Sequence, residues 1–500
     1  MLNSESFQQS AFRIQNSVIK IMSSSVLKFG GTSVGSAEAM QQVCEIVKQA
    51  THTWDHVVVV TSAMGKPLPG NKAPADQIKV TDSLLNAAKT AADGDGETYR
   101  RIRRELSAKH ENAIKAVIEN EDERAEISAE IEQLLDGFET LCGSVKVLGE
   151  ITPRALDAIS GLGERMAARI LAAALRSKGT DAISLDATEF VITNDHYQNA
   201  APLMDITKQM TRARLTPLLQ KGVVPVVTGF IGSTPKGIPT TLGRGGSDYS
   251  ASIVGAALDA DIVLNYTDVN GVLTTDPRIE PSAKTVDVLS QAEMAGLAFF
   301  GAQVLHPLTI APLIEQHIPL RVKNTFNPDH PGTLITKDGE RNSSPVKAIT
   351  LLEKVCVVTV TGAGMRGVPG IAGRTFTSVA RTGTSVFMIT QASSEQNICL
   401  VVPQLSSAKV VAELQREFDR EISEGDIDNV NTHENAAIIT CVGNGIADTP
   451  GVGGKVFSAL GELGINILSI AQGMGECVIS VVVGGEDAKN AVRAAHAMIG

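Results

Sequence analysis

The chain has 500 residues, enough for two to four domains with cores of their own. A net charge of −11 and an aromatic content of 4% leave neither a basic stripe to displace counterions nor platforms for stacked bases, which excludes nucleic acid as the main partner. No apolar run approaches the ~18 residues of a membrane span, so no membrane partner is expected.

Six cysteines (Cys44, Cys142, Cys356, Cys399, Cys441, Cys477) lie far apart with no C-x-x-C pair. They predict reduced, buried thiols in a cytoplasmic protein rather than disulfides or a zinc site. Residues 1–25 are rich in Ser, Gln and Asn, and only Phe7, Phe12, Ile14, Val18 and Ile19 supply apolar mass. A disordered extension is expected there, with Met22 an alternative start. The missing apolar centre argues against a secretory leader. Glu5 and scarce arginine weigh against a transit peptide, which is the alternative that would place the protein in a plastid.

Val26-Leu-Lys28-Phe-Gly30-Gly31-Thr32-Ser33-Val-Gly35 reads as a strand carrying one lysine, then a glycine turn. A point cation followed by bare amides and two hydroxyls suits a polyphosphate, although a plain strand-to-helix turn has the same pattern. The lysine precedes the glycines, so this is not a Walker loop. From Val26 to about Thr336, strand-like runs such as Val57–Val60, Val223–Thr228 and Ala260–Asn265 alternate with amphipathic helical segments, among them Glu164–Ser177 and Ser247–Ala257. Such alternation predicts an α/β domain of three layers, helices on both faces of a mainly parallel sheet. Residues 95–150 are charged and helical, an outer helical pair, and Pro67–Lys79 reads as a loop inserted after the second strand. In an open sheet of this kind the ligand lies beyond the carboxyl ends of the strands.

Thr240-Thr-Leu-Gly243-Arg244-Gly245-Gly246-Ser247-Asp248 opens a helix, where Ser247 or Asp248 would also suit an N-cap. A guanidinium among glycines fits bidentate capture of a carboxylate. Thr267-Asp268-Val-Asn270-Gly271 through Asp276-Pro277-Arg278 follows a strand, and Asn270-Gly271 alone would be an ordinary turn.

From about Val346 the chain repeats itself at a shift of 81 residues, which superposes Pro369-Gly370 on Pro450-Gly451, Phe376 on Phe457, Gln391 on Gln472 and Glu395 on Glu476. Each copy reads strand, glycine turn, helix, strand, strand, helix, a ferredoxin-like α+β unit. Gly362-Ala-Gly364-Met-Arg-Gly367 matches a dinucleotide fingerprint in form only. The second copy lacks the third glycine, and no acidic residue ends the strand Ser385–Ile389.

As a set, Lys28-Phe-Gly-Gly-Thr-Ser33, Ser62-Ala-Met, Gly163-Glu164-Arg165, Thr241 to Asp248, Thr267-Asp268 and Phe300-Gly-Ala-Gln-Val-Leu-His-Pro307 resemble the aspartate kinases of the amino acid kinase family. The resemblance runs from Val26 to the chain's last residue and implies an amino acid kinase domain over 26–336, then two ACT domains over 346–425 and 436–500. It implies transfer of the γ-phosphoryl group of ATP, with Mg²⁺, to the β-carboxylate of L-aspartate, the first step towards lysine, threonine and methionine. Lys28 and Asp248 would be catalytic, with Gly30 and Gly31 amides at the phosphates. Ser62, Thr81, Arg244 and Ser247 would hold aspartate, and Glu164 would pair with its ammonium group. Thr267, Asp268, Leu273, Arg278, Gln303 and Val304 would lie along the nucleotide. Many members carry tyrosine at the place of Leu273 and lysine at that of Gln303, so Gln303 is expected to contribute a hydrogen bond and no catalytic role.

Ile389-Thr-Gln391-Ala-Ser-Ser-Glu395 and its echo Ile470-Ala-Gln472-Gly-Met-Gly-Glu476 are most similar to threonine-sensitive members, including the kinase half of aspartokinase–homoserine dehydrogenases. That implies effector contacts at Gln391 and Gln472, feedback by threonine, and a homodimer or larger homo-oligomer paired through the ACT domains. With the sequence ending at Gly500, no dehydrogenase domain is expected. Two rival readings stand beside this one: a kinase of another amino acid such as glutamate, and a non-catalytic amino-acid sensor.

Overall fold

A computed structural model describes residues 23–67, 77–301, 305, 307–340, 344–392, 396–473 and 475–499. Residues 1–22 and most of the loop after the second strand lie outside them, as do Gln303, Val304 and Glu395. Ser24 and Ser25, expected in the extension, instead begin the first strand, where they pair with His56 and Val57.

Strands β1 (Ser24–Phe29), β2 (His56–Thr61), β3 (Ala182–Leu185), β4 (Val224–Thr228), β7 (Ile262–Thr267), β8 (Val288–Ser290), β9 (Leu320–Asn324) and β10 (Thr333–Thr336) form one sheet in the order β3-β4-β2-β1-β7-β9-β10-β8. A two-stranded ribbon of β5 (Ile231–Ser233) and β6 (Pro239–Thr241) stands beside it. All pairings in the large sheet are parallel except β9 with β10. Continuous valine runs such as His56-Val-Val-Val-Val-Thr61 occupy its centre because both faces are covered there. Leu27, Phe29, Val57 and Val59 face one helical layer, while Val26, Val58, Val60 and Val263 face the other. The register sets Lys28 of β1 between Val60 of β2 and Asn265 of β7, one residue short of the strand's carboxyl end.

The charged stretch folds as the antiparallel pair Gly96–Val117 and Glu121–Leu148, joined by a short turn. Asp95 caps the first by accepting from the Glu97 and Thr98 amides, and Asn120 caps the second through Glu123. Two expectations need correction. The helix Gly246–Leu258 is not amphipathic: every residue from Ser250 to Ala257 is buried, because neighbouring helices and the sheet enclose it. Among the cysteines, all free, Cys399 and Cys477 are only half-buried.

The second sheet holds β11 (Ala348–Thr361), β12 (Met388–Gln391), β13 (Asn397–Pro403), β14 (Asn429–Val442), β15 (Ile467–Ala471) and β16 (Val478–Gly484) in the order β12-β13-β11-β14-β16-β15. The two repeats therefore join through the antiparallel pair β11–β14, and each long strand serves both. Ile349 of β11 packs with Ile439, Val456 and Val492 in one core, while Val358 and Val360 pack with Val379, Leu414 and Val430 in the other. The sheet curls until its edge strands meet, where the Thr390 hydroxyl lies 2.9 Å from that of Ser469 and donates to the Ile470 carbonyl at 3.2 Å.

A buried polar joint ties the two regions. Ser290 and Glu293 form a capping box on the helix Gln291–Phe299. Glu293 also pairs with Lys347 at 3.0 Å and accepts from the Asn444 amide at 2.6 Å.

Candidate active site

Three turns converge at the carboxyl ends of β1, β2 and β4. The Gly31–Gly35 turn leads into the helix Ala37–Thr53, whose N-cap Ser36 accepts from the Ala39 amide. It is packed directly on the turn after β2: the Gly65 amide donates to the Gly31 carbonyl at 2.8 Å, and a Cβ on Gly65 would come within 2.6 Å of the Gly31 carbonyl carbon. Glycine is required there by close approach. The third turn, Leu242–Gly246, holds Arg244 between Gly243 and Gly245, both at positive φ (77° and 72°), so the chain reverses sharply on either side of the guanidinium. Its entrance is anchored by buried Asp157, which accepts from the Thr241 amide and hydroxyl at 3.0 and 2.7 Å and from the Gln198 amide.

The turns enclose a cavity of about 330 Å³ lined by Lys28, Gly31, Ser62, Thr81, Glu164, Arg244, Ser247 and Asp248, with Ala63, Met64, Gly65 and Phe230 between them. Lys28 Nζ stands 2.5 Å from Asp248 Oδ1, with both side chains largely buried. A Cβ on Gly30 would crowd that ammonium at 3.2 Å. The Gly30 amide itself donates to the Tyr266 carbonyl at 3.3 Å.

Glu164, on the helix Leu162–Ser177, is 3% exposed. One carboxyl oxygen accepts from the Ala63 amide at 3.1 Å, and the other is buried with no hydrogen-bond partner. Burial pushes this carboxyl up to about 8, against the pull of its backbone hydrogen bonds. A desolvated carboxylate with one open oxygen is a receptor for a cation.

The nucleotide-side residues stand apart from this cavity. Thr267 and Asp268 end β7, the neighbour of Lys28's strand, and the Thr267 hydroxyl donates to Asp268 at 3.2 Å. Leu273 bridges to Thr285, and Arg278 makes a bidentate pair with Asp276 on an exposed turn. None of these four side chains lines the 330 Å³ space, and Gln303 and Val304 fall outside the described residues. Gln391 and Gln472, at equivalent strand ends, line a second and larger space of about 1150 Å³ together with Phe299, Phe300 and Phe387.

Two groups escaped the reading of the sequence: Asp157, and Lys109 of the helix Gly96–Val117, whose Nζ donates to the carbonyls of Gly35 and Gly65. Lys109 had a visible signal. It sits in register with Tyr99, Ile102, Leu106, Ala113 and Val117, a charge on an otherwise apolar stripe.

An open parallel sheet with a lysine–carboxylate pair beside glycine turns is the architecture of the amino acid kinase family, whose profile matches residues 24–324. An ACT domain profile matches 358–418 and 439–498. Over 478 residues the chain is 35% identical to the bifunctional aspartokinase/homoserine dehydrogenase 1, chloroplastic, of Zea mays, covering 94% of this chain and 50% of that one. It is also 35% identical to the chloroplastic aspartokinase 3 of Arabidopsis thaliana, over 94% of this chain and 80% of the relative. The structure of E. coli aspartokinase III in complex with aspartate and ADP superposes with a TM-score of 0.77 at 29% identity, covering 95% of this chain and 99% of that one. The chain belongs to the amino acid kinase family, among its aspartokinases. It spans about half the length of the bifunctional relatives it matches. Among the described residues no helix is long and apolar enough to cross a membrane.

Proposed function

We propose that the chain transfers the γ-phosphoryl group of ATP to the β-carboxylate of L-aspartate, giving 4-phospho-L-aspartate and ADP. The observation that carries this reading is the shared cavity: a lysine–aspartate pair at 2.5 Å faces a buried glutamate with one open oxygen, with Arg244 and Ser247 at the rim. A carboxylate oxygen forms the new bond to the γ-phosphorus while the bond to the bridging oxygen breaks and ADP leaves. The nucleophile is already ionised, so no general base is needed, and the barrier is the repulsion between two anions. Lys28 neutralises the transferred group, and Asp248 holds its ammonium in place. Arg244 and Ser247 take the α-carboxylate, with Ser62 and Thr81 as further contacts. Glu164 receives the α-ammonium through its open oxygen, which distinguishes an amino acid from a dicarboxylic acid. The nucleotide lies along Gly30, Gly31, Thr267, Asp268, Leu273, Arg278, Gln303 and Val304.

Among the described residues no group of three or more His, Cys, Asp or Glu side chains is placed to hold a metal. Mg²⁺ would keep several of its waters and be carried in on the nucleotide's phosphates. Asp248 would be the carboxylate that helps to hold it, and the ion would supply further charge neutralisation.

The proposal extends to regulation. An amino-acid effector, threonine, binds near Gln391 and Gln472 and inhibits the kinase, with the protein assembled as a homodimer or larger homo-oligomer through its ACT domains. E. coli aspartokinase III has been solved with lysine and aspartate, so lysine is the competing effector in any test. Cytoplasmic residence belongs to the same proposal, with the plastid its alternative because the plant relatives are chloroplastic. A coupled ADP-release assay decides the central point. Turnover with aspartate well above that with glutamate supports the reading, a preference for glutamate overturns the substrate, and no turnover with either indicates a sensor.

A further inference from the structure

Lys109 is 1% exposed and lies on the inner stripe of a helix that otherwise forms part of the outer layer. Burying an ammonium group is costly unless it is fully engaged. Here it donates to two backbone carbonyls, Gly35 at 3.2 Å and Gly65 at 3.1 Å. These carbonyls belong to the two glycine turns that pack on one another beside the cavity. The first turn contains Gly31 and follows the strand that carries Lys28; the second carries Ser62 and Ala63, and the Ala63 amide orients Glu164. The carbonyls converge, since both oxygens lie within 3.2 Å of the one ammonium nitrogen. Two converging carbonyl dipoles repel, and a cation donating to both offsets that repulsion.

We infer that Lys109 is a positioning residue for phosphoryl transfer, clamping the phosphate turn to the aspartate turn and so setting the gap between donor and acceptor. The inference rests on the proposed kinase function. His110, its buried neighbour, bonds to Leu106 of its own helix and is no part of the clamp.

Lys109→Met removes the donors and keeps the apolar stem. Each turn retains its own ligand contacts, so ADP and aspartate, titrated separately by calorimetry, are expected to bind within about threefold of wild type. kcat per folded molecule is expected to fall roughly 10- to 100-fold, because misplacing reacting groups acts on the transition state. Amide exchange at the 30–35 and 62–65 turns rises about tenfold or more, while the ACT repeats stay unchanged. His110→Leu, equally buried, leaves kcat per folded molecule unaltered. Should the methionine variant not fold, Lys109→Gln, which retains one donor, is read in the same assays. Unchanged exchange at the turns, or raised exchange with wild-type kcat, overturns the inference. If the wild type phosphorylates no amino acid, the kinase reading falls and the positioning role with it, whereas exchange still decides whether Lys109 holds the turns together.

Discussion

The cavity around Lys28 measures about 330 Å³ and is lined by six ionisable side chains from the kinase region alone, whereas the groove holding Gln391 and Gln472 measures about 1150 Å³. The kinase helix Gln291–Phe299 forms one wall of that groove, and strands of both repeats form the others. Phe299, Phe300 and Phe387 meet there edge to face across the boundary between the regions. The small cavity is organised before any ligand arrives, through an ion pair, a desolvated carboxyl and turns packed on one another. The walls of the large groove belong to separate cores. Preorganised charge suits chemistry; a cleft shared between bodies suits a ligand that biases how they pack.

The largest effects are expected in the small cavity. Lys28→Ala and Asp248→Ala should each lower kcat by about two orders of magnitude or more, while aspartate affinity changes far less, because the lost charge is felt mainly in the transition state. Steady-state kinetics on either variant checks this, and more than about a tenth of wild-type turnover would remove that residue from the catalytic pair.

In the large groove the consequences fall on regulation. Gln391→Ala or Gln472→Ala should weaken threonine inhibition by roughly 10- to 100-fold, the equivalent of losing one hydrogen bond to a charged group at about 1.5–3 kcal/mol. Uninhibited turnover stays near wild type. Inhibition by lysine and not threonine would replace the effector, and reciprocal titrations must give one coupling factor for threonine and aspartate.

The smallest change sharpens the contrast most. Glu164→Gln keeps the shape and should raise the KM for aspartate about 10-fold. With its carboxyl pushed up to about 8 in the free protein, Glu164 is mainly protonated at pH 7, and pairing with an ammonium group demands the anion. Aspartate binding should therefore release a proton, and KM should fall as pH rises towards about 8. The folded value lies above the ordinary 4.5, so the ligand-free protein loses stability as pH climbs from about 4.5 to about 8, and aspartate restores it. Calorimetry in buffers of different ionisation enthalpy measures the proton, and its absence in wild type would mean that Glu164 is already ionised.

Much of this was legible in the residues alone. The glycine phrases, the valine runs and the 81-residue repeat are local patterns, and each follows from a period or a turn requirement that neighbours in the chain must satisfy. They specify the parallel sheet, the repeats and the glycine turns at the cavity, whereas Ser62, Thr81 and Glu164 were legible only through the family resemblance. Three things required the folded chain. Adjacent repeats exchange halves of β11 and β14, because a 14-residue strand outruns one unit's core and extends into the next. The clamp of Lys109 joins residues 74 and 44 positions away in sequence, visible beforehand only as a charge on an apolar stripe. The open oxygen of Glu164 depends on how completely its surroundings exclude water. Burial is a property of packing and not of sequence neighbours, so no motif could have announced that charge state.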